Sequence, residues 1–116
     1  MNIKAIKIDP IKQQVEAYEW KNTEDFQELY GVIGCRTVQV VRFDNNNFVL
    51  CDEEGRLKEI EGAFRCLFSR TIIVGIGVVV GIGETEDFAN TTIGVEDVIA
   101  RIRWIAKEDC ASLKVF

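Results

Sequence analysis

Carboxylates are the most concentrated reactive groups in this sequence. They gather in Asp52-Glu53-Glu54 and again in Glu84, Glu86 and Asp87. Paired carboxylates serve as general acid and base, hold hard cations through several oxygens, or meet a basic partner surface. The cation role finds no matching pattern. Asp44-x-Asn46 opens like a calcium loop, but the sixth position is not glycine and the twelfth is not glutamate. Nucleophilic chemistry has little to work with. The chain contains no histidine and its serines are Ser69 and Ser112, so Ser-His-Asp and Cys-His arrangements cannot be built. No catalytic residue is assigned, and the chain reads as a non-enzyme. The acidic clusters read either as solvated loops or as a patch for a basic partner protein.

The four cysteines, Cys35, Cys51, Cys66 and Cys110, form no CxxC pair, and no histidine completes a mixed zinc site. Apolar neighbours such as Val49-Leu50 and Leu67-Phe68 make them read as reduced, buried, small hydrophobes. No metal or cofactor site is expected. Arg65 and Arg70 flank Phe64 and Phe68. Arginine beside aromatic rings holds phosphate or stacks on a base, or simply lays its stem over a sheet.

The run Thr71 to Gly83 carries Gly75, Gly77, Gly81 and Gly83, all at odd positions. In a strand, side chains alternate between faces. One face would then be wholly aliphatic, through Ile72, Val74, Ile76, Val78, Val80 and Ile82, and the other nearly bare backbone. Interior glycine costs roughly 0.5–1 kcal/mol relative to alanine, so four on one face imply a steric demand. Either bulky groups such as Trp20, Trp104 or Phe88 approach closely or the sheet curves sharply, or a ligand or partner chain lies in a shallow trough there. Gly75-x-Gly77-x-x-x-Gly81 misses the dinucleotide fingerprint by one residue, and no strand-to-helix turn surrounds it.

Elements must position these groups. Residues 3–9 and 14–20 alternate and read as a hairpin around Asp9-Pro10. Asn22 or Thr23 caps a helix through Phe26, Leu29, Tyr30 and Ile33, ended by Gly31 and Gly34. Arg36–Phe43 and Phe48–Asp52 are strands joined by the Asp44–Asn47 turn. Glu53-Glu54-Gly55 turns again, and Arg56–Ile60 reads as a third strand of a meander. Residues 62–70 are ambiguous in pattern; Phe64, Leu67 and Phe68 fit a short helix, while Arg65 and Arg70 face elsewhere. Residues 71–83 form one central strand, and 84–91 a polar loop. From Thr92, Val95, Val98, Ile99, Ile102 and Ile105 mark a C-terminal helix, so that Ile99→Asp is expected to unfold the domain. Residues 107–116 read as a C-terminal tail or a last short strand.

The expected architecture is therefore α+β: one domain over 1–116, with a single, mostly antiparallel sheet of five or six strands covered by two helices. With 47% apolar and 28% charged residues in 116, the chain has enough apolar material for one core and no room for two. Its 19 acids against 14 bases, net −5, disfavour nonspecific nucleic-acid binding. The charged N-terminal segment is no signal peptide. The longest apolar run, about 13 residues, is shorter than the roughly 20 a membrane helix needs. The chain reads as cytosolic, with no membrane partner. Self-association through an edge strand or the glycine face stays open.

Lys4-Ala5-Ile6-Lys7-Ile8-Asp9-Pro10, the helix before Gly31, Val40–Asp44, Asp52–Leu57 and the late Ile72-Ile73-Val74-Gly75 … Gly81 … Asp87-Phe88 resemble a family of small proteins of unknown function found largely in phages and mobile elements. The likeness spans roughly residues 3–105 and departs around 61–70, where a proline- or asparagine-rich loop is usual. The family has no assigned active residues, so none transfers. The resemblance implies an accessory gene product in the cytosol of a bacterial host, acting by binding, including as an inhibitor of a host defence protein. On that expectation Asp52, Glu53, Glu54, Glu84, Glu86 and Asp87 face a basic host surface. The alternative is a small-molecule module in which Arg65, Arg70 and the glycine face (Gly75, Gly77, Gly81, Gly83) cradle a nucleotide-like anion.

Overall fold

The structure, a computed structural model, describes residues 2–85 and 87–113. Strands β1 (Ile3–Asp9) and β2 (Gln14–Trp20) pair antiparallel with Ile3 opposite Trp20. Asp9 shapes their turn, its Oδ1 accepting from the backbone N–H of Ile11 and Lys12. Helix α1 (Gln27–Ile33) follows. It starts later than the capping residues suggest: Phe26 is its N-cap, while Asn22 and Asp25 cap turns ahead of it. Gly31 lies inside the helix. Gly34 alone ends it, in the left-handed conformation (φ 78) with its N–H on the Tyr30 carbonyl at 2.9 Å.

Strands β3 (Val38–Arg42) and β4 (Asn47–Asp52) form the second hairpin. The expected strand at 56–60 does not form; a 3₁₀ turn occupies Gly55–Leu57. Residues 62–70 hold a strand, β5 (Ala63–Cys66), rather than a helix. The glycine-rich run is two strands, β6 (Ile72–Val74) and β7 (Gly77–Ile82), broken where Gly75 takes φ 83. A side chain with a Cβ resists that conformation, so the break falls at a glycine. A short strand β8 (Phe88–Ala89) returns along β7.

The C-terminal segment departs most from the helical reading. Helix α2 (Val95–Ala100) stops at Arg101, and Ile102–Trp104 is strand β9. A short helix α3 (Lys107–Cys110) and a 3₁₀ turn (Ala111–Leu113) follow, packing Cys110 and Leu113 on the core. Ile99 is 51% exposed and Val98 fully buried, so Val98, not Ile99, anchors α2.

The strands make two sheets, not one. The larger has the order β2-β1-β7-β4-β3 with β8 added beside β7; the smaller is β6-β5-β9. Every pairing is antiparallel. The larger sheet is the mostly antiparallel, six-stranded element expected from the sequence. Strand β7 enters between the two early hairpins and is buried on both faces. Val78 and Val80 pack with Trp20, Leu29 and Leu50 on the α1 side, and Val79 packs with Ile8, Val49 and Phe64 on the side of the smaller sheet. Burial on both faces explains a continuous apolar run. The bare side of β7 is therefore core, not open surface. A Cβ on Gly77 would lie 2.9 Å from both the Phe64 ring and Val49. One on Gly81 would strike the Asn90 carbonyl, and one on Gly83 the Asp87 side chain. Close approach is the steric demand, made by Phe64 and the 87–90 segment rather than by a tryptophan.

Candidate functional site

The two acidic clusters lie at opposite ends of the larger sheet. Asp52 pairs with Val38 at one end of β4; Asn47, at the other end, pairs with Gly81 of β7. Five residues of strand separate the ends by roughly 17 Å, and Glu84 lies beyond Gly81. No single acidic face forms from both. Asp52 is held by Lys58 at 2.6 Å and Glu54 by Arg36 at 3.5 Å, while Glu53 is exposed. Two of those three carboxylates are thus neutralised within the chain.

Glu84 and Asp87 differ. They are exposed, on the connection between β7 and β8, and enter no ion pair among the described residues. Glu86, the third acid of that group, lies outside the described residues. The two ends of the connection are held by backbone hydrogen bonds. The Gly83 N–H donates to the Asp87 carbonyl at 2.7 Å, and the Ile82 N–H to the Asn46 carbonyl at 2.9 Å. Phe88 lies with its ring centroid 5.8 Å from Trp20, 5.9 Å from Phe26 and 6.1 Å from Phe48. Aromatic stacking of this kind fixes the base of the turn.

The same end contains a buried polar node. Asn47, fully buried, donates to Asp44 Oδ1 and Thr92 Oγ1 at 2.9 Å each, and accepts from Thr91 Oγ1 at 2.9 Å and the Thr92 N–H at 3.1 Å. Its amide is satisfied at every donor and acceptor position. Asp44 also receives Arg101 at 2.6 Å. The node ties the β3–β4 turn to the approach of α2, a structural role for residues that the sequence presents only as turn formers.

A groove of about 310 Å³ opens between the sheets, lined among others by Gln39, Cys51, Asp52, Arg56, Leu57 and Ile72. Leu57 is 60% exposed at its rim.

The arginines are separated from the glycines. Gly77, Gly81 and Gly83 lie within or beside β7 and Gly75 at the break after β6, whereas Arg65 and Arg70 are exposed on the smaller sheet and its turn. Phe64 and Cys66 point into the core shared with the larger sheet, so Arg65 points to the opposite face. Arg65 Nη1 donates to the Arg70 carbonyl at 3.3 Å, and Arg70 takes a left-handed φ of 60. Arg103 on β9 is directly opposite Arg65 in the ladder. The helical reading of 95–105 hid Arg103. The alternation Ile102-Arg103-Trp104, apolar at each side of a charge, is the period-two signal that reveals it.

The cysteines are buried and free, and they fall in separate clusters: Cys51 and Cys66 in one, Cys35 in a second, Cys110 in a third. Burial pushes the Cys51 and Cys66 thiols up to about 12, and raises Cys35 as well. Between β2 and α1, Glu28 accepts from the Tyr18 hydroxyl and from the N–H groups of Lys21 and Asn22. Burial opposes its charge, but these donors outweigh it and hold Glu28 below the ordinary glutamate range. Burial and the same contact raise Tyr18.

Two antiparallel sheets with three short helices among the described residues define a small α+β protein. The chain belongs to the family described as a domain of unknown function (DUF3846), whose pattern matches residues 3–102. Comparison with curated proteins and with solved structures returned no match. No helix among the described residues is long and apolar enough to cross a membrane.

Proposed function

We propose that this protein, encoded by a phage or mobile element, is a non-enzymatic interaction protein that docks an acidic loop against a basic surface of a host protein and so inhibits a host defence component in the cytosol. The observation that carries the reading is the division among the carboxylates. Asp52 and Glu54 are matched by the chain's own Lys58 and Arg36, whereas Glu84 and Asp87 are exposed and unmatched among the described residues, on a turn anchored by Phe88. Unneutralised charge on a held loop steers association and sets specificity. The test is capture from host lysate at low and high salt, comparing the natural chain with Glu84→Lys, Glu86→Lys and Asp87→Lys combined. A partner held at low salt and lost in the reversed variant supports the reading; undiminished capture by that variant rules out this surface.

A second reading is binding of a nucleotide-like anion at Arg65 and Arg70. It is favoured by the exposure of both guanidinium groups and by the absence of any carboxylate on either among the described residues. Gly77, Gly81 and Gly83 take no part in it, since their open side is filled by the chain itself, while Gly75 has open space beside it at the break between β6 and β7. A thermal-shift panel of nucleotides separates the two readings.

A further inference from the structure

The larger sheet ends on β2 and β3, and the smaller sheet on β6 and β9. A free edge offers a row of unpaired backbone groups to another strand, and native edges are normally blunted by charge or covered by chain. Three of these four are. Strand β2 carries Glu16 and Glu19. Along β6 the Gly55–Leu57 turn closes in, so near that a Cβ on Gly55 would lie 3.1 Å from the Val74 carbonyl oxygen. At β9 the Arg103 guanidinium donates to the Ile102 carbonyl at 2.8 Å. Strand β3, Val-Gln-Val-Val-Arg, has no acid, lysine or proline, and its one charge stands at its last residue.

The direction of the β3 backbone groups follows from its ladder. The Phe43 N–H donates to the Asn47 carbonyl at 2.9 Å, and the Glu53 N–H to the Thr37 carbonyl at 3.2 Å. Odd-numbered residues therefore face β4, and in an antiparallel strand the residues between them face the other way. The N–H and C=O groups of Val38, Val40 and Arg42 point to the open edge, and these backbone groups have no partner among the described residues. At the centre of the row the Val40 side chain is 45% exposed.

A second copy of the same edge fits this row. With their open groups facing, two antiparallel copies match even-numbered residues with even-numbered ones. Setting Val40 on Val40 overlaps all five residues of β3 and puts each Arg42 opposite a Val38. It also sets Arg36, 85% exposed, level with Asp44 of the second copy. Shifting the match so that Val38 meets Val40 shortens the overlap and sets Arg36 of one copy opposite Arg42 of the other. Setting Arg42 on Arg42 opposes like charges directly, which weakens a ladder, whereas a pair of branched side chains strengthens it. Charge and overlap thus select the centred match.

We propose that β3 is a self-pairing edge: two copies join antiparallel about a two-fold axis at Val40, making the larger sheet continuous through both. The contact uses the same strand of each copy, so it closes at two. Sedimentation equilibrium over a micromolar-to-millimolar series measures it. One chain is 13.2 kDa, and a species of twice that mass is expected at the upper end. Val40→Lys sets two ammonium groups against each other on the axis and is expected to weaken the dimer roughly tenfold or more; thermal melts verify that the variant folds. Cross-linking reads the register. Under mild oxidation Val40→Cys should form a disulfide between copies, since opposed residues of a hydrogen-bonded pair lie about 5.5 Å apart at Cα. Val38→Cys and Arg42→Cys, neither of which meets its own copy, should not. The natural cysteines are all buried and leave this readout clear. A chain that stays monomeric throughout overturns the proposal and leaves the edge to an extended segment of another protein. A dimer undiminished in Val40→Lys, or cross-linked through Val38→Cys or Arg42→Cys in place of Val40→Cys, overturns it by assigning another surface or register.

Discussion

Asn47 and Thr92 are joined twice, the Asn47 amide donating to the Thr92 hydroxyl at 2.9 Å and its carbonyl accepting the Thr92 N–H at 3.1 Å. They are 45 residues apart in sequence, and the pair closes the β3–β4 turn onto the segment that leads into α2. Replacing Asn47 by alanine leaves the Thr92 N–H and the Thr91 hydroxyl without their buried acceptor. A loss of about 2–3 kcal/mol in unfolding free energy is expected. Asn47→Asp should cost more at neutral pH, because it removes the donors and sets a second carboxylate beside Asp44, and it should recover in part on acidification. Chemical denaturation of both variants at pH 5 and pH 7 checks the order.

The anchoring of α2 gives a sharper contrast. Val98 is fully buried and Ile99 is 51% exposed. Val98→Asp puts an unpaired charge in the core, and a loss of about 4 kcal/mol or more is expected. Ile99→Asp should stay within about 0.5 kcal/mol of the natural chain. Equal losses in the two, read from denaturant midpoints, would show that α2 packs through a different face.

Glu28 makes folding pH-dependent in a defined direction. Its folded pKa is held below the unfolded value by Tyr18 and two backbone N–H groups. The native state therefore binds the proton less readily, and the stabilisation is fully present above the ordinary glutamate pKa of about 4.3. It is lost as pH falls through the lowered folded value. Glu28→Gln should melt below the natural chain at pH 7, with the gap closing under acid conditions; thermal melts from pH 7 to pH 3 measure it. A gap that widens with acid would contradict the arrangement.

The thiols should be slow to react. With Cys51 and Cys66 pushed up to about 12 by burial, only about one in 10,000 of either is thiolate at pH 8. A chromogenic disulfide reagent should label these two within minutes only after guanidinium is added, and their rapid labelling in the native protein would show that the core between the sheets opens readily.

Much of this architecture follows from local pattern. The first hairpin is legible because 3–9 and 14–20 alternate around Asp9-Pro10, and the second because four polar turn residues separate two β-rich runs. The end of α1 is legible at Gly34, the glycine that takes the left-handed position. Other segments were ambiguous for a physical reason. Val98, Ile99, Ile102 and Ile105 match a helical stripe, yet Ile102 and Trp104 also match a strand, and β5 decides between them by supplying a ladder for 102–104. Residues 63–66 have the same ambiguity and gain β6 and β9 as partners.

Residue types and spacing alone determined the α+β class, the burial of the cysteines and the lack of any histidine-based chemistry, since each depends on short-range pattern or on composition. Only the tertiary structure decided that the run 71–83 divides between two sheets, that Gly77, Gly81 and Gly83 are covered by Phe64 and the 87–90 segment, that the two acidic clusters point to opposite ends, and that Arg65 lies opposite Arg103 in a ladder. Those outcomes depend on which strands pair across the chain, and pairing is settled by the burial of both faces of β7, a long-range quantity that no local window contains.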